Sequence, residues 1–159
     1  MKRDRFFEND EFEFMFSLAL GASYHRGADV GECLATAARI DDGDFEHWYR
    51  EWKATGDRLA AAARDSEGGA HTVSARWIWL RAATYYETAT AFLDSTDDPG
   101  RFKPTWELHR GAWDGFVRNS PRIEPVAIPY EDTELEGFLF RSPVGGEKRP
   151  LLLLNNGSD

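Results

Sequence analysis

The sequence predicts a mainly α protein: five helices, followed by the first three strands of a sheet. Three observations carry that prediction. Up to about residue 120, apolar residues recur at spacings of three and four, the period of one helix face. From about residue 124 they alternate at period two or run unbroken, as in strands. Pro121 and Pro125 bracket the change, and no internal repeat or low-complexity tract separates the two regimes.

The first helix, about Asp10 to Tyr24, opens on a capping box with Asp10 as the cap and Glu13 as its reciprocal partner. Its apolar stripe is Phe12, Phe16 and Leu20. GADVGECLATAARI supplies the second helix. Asp29 and Glu32 repeat the D-x-x-E signal, and Leu34, Ala37, Ala38 and Ile40 form its buried face before DDGD breaks the chain. Asp44 caps the third, whose stripe is Phe45, Trp48, Trp52, Leu59 and Ala63, with one turn occupied by Thr55 and Gly56. SEGG ends it. The fourth, about Thr72 to Leu93, is apolar along two lines: Trp77, Leu80 and Thr84 on one, Ile78, Tyr85, Ala89 and Phe92 on the other. A helix wetted on so narrow a face is central. DSTDDPG breaks the chain again, with Pro99 at a first helical position. The fifth helix carries Phe102, Trp106, His109, Trp113 and Phe116.

VAIPY and LEGFLF alternate at period two around EDTE, so they read as an antiparallel pair joined by a tight loop. SPVGGEKR is a flexible connection. PLLLLNN is an apolar run closed by turn residues, the signature of a third strand buried on both faces. The expected division is a helical domain over 1–121 and the start of a sheet domain over 122–159.

Composition narrows the function. Apolar residues make up 42% and aromatics 14%, enough to build a core. A net charge of −9 points away from nucleic acid, whose phosphates need a basic face, and from an anionic membrane surface. The single cysteine, Cys33, allows no intrachain disulfide and suits a reducing cytoplasm. MKRDRFFENDEFEF lacks the apolar core of a signal peptide, and no apolar run approaches the ~20 residues of a membrane span. The expectation is a cytoplasmic protein that needs no cofactor and no metal.

Candidate chemistry is sparse. A serine-hydrolase elbow needs Gly-x-Ser-x-Gly on a strained strand-to-helix turn, and that pentapeptide is absent. GASYH, Gly21 to His25, comes nearest, but it closes a helical pattern. His47 and His71 lie near helix starts and His25 in a loop. His109 sits on the stripe of the fifth helix, where a hydrogen-bonded core role competes with a substrate-facing one. H-E-x-x-H, G-x-G-x-x-G and the Walker A loop are all missing, and STDD and DDGD lack the spacing of a calcium loop. Cys33 reads as a small buried apolar residue. NNGSD remains. A glycine-containing polar turn after an apolar strand is where backbone N–H groups can point into a cleft.

Several stretches together resemble one family. GADVGE, W-x3-W, SAR-x3-LRAA-x-YY, VAIPYEDTELEGFLFR and RPLLLLNNGSD are similar to α/β-hydrolases with an N-terminal helical cap. These are the dihydroxypseudooxynicotine hydrolase type, the fungal polyketide-shortening hydrolases and dipeptidyl-aminopeptidase-like or acylaminoacyl-peptidase-like proteins. The resemblance implies a helical lid, a Ser-Asp-His triad on the sheet domain, and frequent homodimers. It also implies a small-molecule substrate with a carbonyl: an ester, an amide, or a ketone cleaved at a C–C bond. It assigns Gly157, Ser158 and Asp159 to the oxyanion-side loop, and makes Trp77, Tyr85, Tyr86 and His109 candidates for the substrate cleft. The triad finds no position in this sequence, so the resemblance implies a truncated, N-terminal portion that is inactive alone, with an exposed apolar edge at Leu151 to Leu154. The rival reading is a stand-alone helical interaction or dimerisation module. A further rival, an enzyme built on His109 or Cys33, lacks a paired nucleophile and base.

Overall fold

The structure is a computed structural model that describes residues 5–143, 145, 148 and 150–155. It is mainly α with a short antiparallel sheet. The helices are α1 Asp10–Gly21, α2 Val30–Ala37, α3 Phe45–Gly68, α4 Thr72–Thr90 and α5 Phe102–Arg118; the strands are β1 Ile123–Tyr130 and β2 Thr133–Phe140. Two compact units result, Met1–Pro121 and Arg122–Asp159. No helix of the described residues is long and apolar enough to cross a membrane.

In the helical unit α4 packs against α3 and against α5. From Ala75 to Thr90 only Glu87 is exposed, so α4 is the central helix its two apolar lines predict. Its buried line nevertheless runs through Trp79, Ala82, Ala83 and Tyr86 as well as Tyr85 and Ala89, while Trp77 and Leu80 are half-buried. The core is aromatic. Trp48 is fully buried, with the rings of Phe7, Phe12, Trp52 and Phe92 centred 5.8, 4.6, 5.7 and 5.2 Å away. Its indole N–H donates to the Thr88 carbonyl at 2.8 Å. The apparent gap in the stripe of α3 is filled from outside. A Cβ on Gly56 would fall 2.8 Å from the Tyr86 ring, and the Thr55 hydroxyl meets that of Thr36 at 2.8 Å.

Four expectations need correction. Asn9, not Asp10, caps α1: its side chain accepts from the N–H groups of Glu11 and Phe12, while Asp10 pairs with Arg5. Glu13 still folds back, onto the N–H groups of Phe6 and Phe7. The α1 helix stops at Gly21 and continues as a 3-10 turn over Ala22–His25. The α5 stripe is rotated: Phe102 and Trp106 are about half exposed, and the buried face is Thr105, Ala112, Gly115 and Phe116. Gly115 causes this, because it lets the Trp79 ring approach where a Cβ would lie 2.6 Å from it. Small residues, not large ones, set the contact.

The fourth correction concerns the third strand. The sheet has two strands, and Leu151 to Leu154 lie outside it, 70 to 86% exposed. An apolar run has the propensity for a strand, but only ladder partners make it one. Among the described residues this run has none.

The hairpin itself explains its two prolines. Arg141 N–H donates to the Arg122 carbonyl at 2.8 Å, and β1 pairs with β2 in the register Ile123 with Phe140 through Tyr130 with Thr133. Hydrogen-bonded pairs therefore fall on Glu124, Val126, Ile128 and Tyr130, whose N–H groups face β2. Pro125 and Pro129 occupy outward positions, where they cost the ladder nothing. They also strip the outer edge of β1 of two donors, which disfavours pairing of a further strand there. The connection is tighter than EDTE suggests: only Glu131 and Asp132 separate the strands, with Glu131 at φ 48°.

Candidate functional site

GADVGE and SAR-x3-LRAA-x-YY are two halves of one polar clamp. Asp29 caps α2, its carboxylate accepting from the Glu32 N–H at 3.0 Å. The Tyr85 hydroxyl accepts from the Asp29 N–H at 2.9 Å and donates to the Glu32 carboxylate at 3.0 Å. Arg81 donates to the same carboxylate at 2.9 Å. Cys33 Sγ lies 3.7 Å from the Tyr85 hydroxyl. Burial pushes both the Tyr85 phenol and the Cys33 thiol up. Tyr85 is thus a neutral donor, and Cys33 is far from thiolate character. The clamp ties α2 to α4 and is structural.

Tyr85→Phe keeps the ring and removes the hydroxyl. The Asp29 N–H and the Glu32 carboxylate each lose a partner. We expect a loss of about 1–2 kcal/mol with the fold retained, read from the urea midpoint. An unchanged midpoint would show that the clamp contributes nothing.

The other cleft candidates point elsewhere. The Tyr86 ring covers Gly56, and its hydroxyl donates to Asp57 at 2.8 Å. Tyr86 is buried, as is Tyr85, so neither offers a surface to substrate. His109 Nδ1 lies 3.0 Å from the Ala83 carbonyl, fastening α5 to α4. Trp77 and His109 are both partly open. The Trp77 ring lies 6.2 Å from that of Phe116, and the guanidinium carbons of Arg26 and Arg76 are 4.8 and 4.5 Å from its centre. The four residues therefore do not converge on one cavity. Gly157, Ser158 and Asp159 lie outside the described residues.

Sequence reasoning missed two clusters. Arg26 and Arg76 around Trp77 are one; Arg26 takes a positive φ of 68° in the loop after α1. The adjacent arginine and tryptophan in SARW were a visible half of that signal. The other is Asp41, Asp44 and His47, where one carboxylate oxygen from each aspartate and one imidazole nitrogen lie within 4.8 Å of one another. His47 Nδ1 is 3.1 Å from Asp41, and Asp44 already caps α3 through the His47 N–H at 2.9 Å. That group reads as the start of a helix. Among the described residues, the one thiol is buried against a phenol and His109 is engaged by main chain, so neither forms a nucleophile–base pair.

Comparison with known proteins supplies what the geometry does not. No family model matches the chain. It is similar to the 20-hydroxy-prefusarin hydrolase of Gibberella moniliformis, at 35% identity over 84% of this chain and 32% of the relative. It is similar to a hydrolase of a Fusarium species, at 34% identity over 96% of this chain and 38% of the relative. An α/β hydrolase of Aspergillus fumigatus is 31% identical over 98% of this chain and 37% of the relative. The chain thus spans between about a third and two fifths of the length of these curated relatives.

Proposed function

This chain belongs to the α/β-hydrolase family, and on that premise we propose that it forms the helical lid and the first strands of a serine-type hydrolase acting on a carbonyl-containing small molecule. The observation that carries the reading is the coverage: relatives named as hydrolases match nearly the whole chain, helical unit and hairpin alike, at 31 to 34% identity. The lid role is supported by a helical unit that holds no nucleophile–base pair among its described residues. In this reading serine, acid and histidine come from residues outside the given sequence. The serine attacks the substrate carbonyl, the histidine takes its proton and returns it to the leaving group, and the acid orients the histidine. In the same reading, Gly157, Ser158 and Asp159 contribute a backbone N–H for the oxyanion. Ester, amide and ketone substrates all meet these requirements.

A fluorophosphonate probe and an activated ester test the assignment of roles. The 159-residue chain should remain unlabelled and leave the ester untouched. A chimera continued by the unmatched part of the Fusarium hydrolase should label at one serine. Labelling of the 159-residue chain itself, or a folded chimera that stays unlabelled, would overturn the reading.

A further inference from the structure

We propose that Arg26, Trp77 and Arg76 form a binding site for the carboxylate of a planar, conjugated small molecule. Two guanidinium groups lie within 4.8 Å of the centre of a single indole. Among the described residues neither has a carboxylate within ion-pair distance, although the chain carries 28 acidic residues against 19 lysines and arginines. One turn along α4, Arg81 shows the contrasting case: Glu32 closes it at 2.9 Å. Two cations gathered on one ring, in a chain of net charge −9, leave a local positive field that a carboxylate neutralises.

The donors agree with this. Arg76 Nε and Trp77 Nε1 are both buried and have no acceptor among the described residues, and each such group calls for one. A guanidinium fork takes a carboxylate through two parallel N–H bonds, and its plane stacks on an aromatic face. Trp77 and Trp113 are both part-buried, each with its ring against that of buried Phe116, at 6.2 and 5.2 Å, and their open portions offer the surface on which a conjugated skeleton can lie. The site goes beyond the hydrolase reading and is independent of it, because binding is measured on this chain alone, without turnover.

Sodium benzoate, benzamide and inorganic phosphate are titrated into the full chain, and the indole N–H resonance of Trp77, assigned with Trp77→Phe, is followed. Benzoate should shift it saturably, with an affinity at least about tenfold above that of neutral benzamide and of phosphate. Arg26→Gln and Arg76→Gln should each weaken benzoate several-fold while circular dichroism stays unchanged. Should either variant unfold, the wild-type chain decides the matter through salt. At about 1 M, where the screening length is ~3 Å, benzoate binding should fall several-fold and benzamide binding should not. Equal affinity for benzoate and benzamide, phosphate binding as tightly as benzoate, insensitivity to salt, or full benzoate affinity in the folded arginine variants would each overturn the site.

Discussion

Trp48→Ala should cost the helical unit about 3–5 kcal/mol, the range for emptying a buried large aromatic site. Three losses add. The side chain is fully buried, so its whole apolar surface leaves the core. It stands at the meeting point of Phe7, Phe12, Trp52 and Phe92, rings contributed by the N-terminal segment, α1, α3 and the end of the α4 region, so no single neighbour can close the cavity. Its N–H also leaves the Thr88 carbonyl without that donor. Trp48→Phe keeps much of the volume and should lose less than half as much. Trp106→Ala, at a position 48% exposed on α5, is the control and should stay within about 0.5 kcal/mol. Urea unfolding followed by circular dichroism reads all three. If Trp48→Ala and Trp106→Ala shift the midpoint alike, the aromatic cluster does not organise this unit.

How much of this was legible in the sequence depends on whether one element or two had to be known. Helix order, the central place of α4 and the hairpin follow from apolar period along one segment, and each is found. The cap of α1 failed at single-residue level. Asn9 and Asp10 are both eligible, and only backbone geometry decides that the Asn9 side chain reaches two N–H groups. The third strand failed because pairing belongs to the partner as much as to the leucines. Tyr85 and Tyr86 were visible as aromatics in a motif. Whether a phenol faces a ligand or an internal carboxylate is set by what α2 and α3 bring to it, Glu32 in one case and Asp57 in the other. Motif residues that look functional in a line of sequence can hold a fold together, as Glu32 and Arg81 do.

Opposite signs are expected for the same substitution at two glycines one helical turn apart on α5. Gly→Ala in a helix interior gains about 0.5–1 kcal/mol from backbone entropy and propensity alone. At exposed Gly111 nothing lies within 4 Å of the added Cβ, so Gly111→Ala should realise that gain. At Gly115 the same Cβ would sit 2.6 to 2.8 Å from three atoms of the Trp79 ring, on its rigid fused portion and not on a flexible end. Overpacking of this kind costs about 1–3 kcal/mol, enough to outweigh the propensity gain. Gly115→Ala should therefore destabilise by about 1–2 kcal/mol, and Gly115→Val by more, since its two γ-carbons must displace α5 from α4. The measurement is the difference in unfolding free energy between the two alanine variants. Were both to stabilise, the Trp79 ring would have to move aside freely. The small-residue contact that rotates α5, and with it the outward placement of Phe102 and Trp106, would then lose its physical basis.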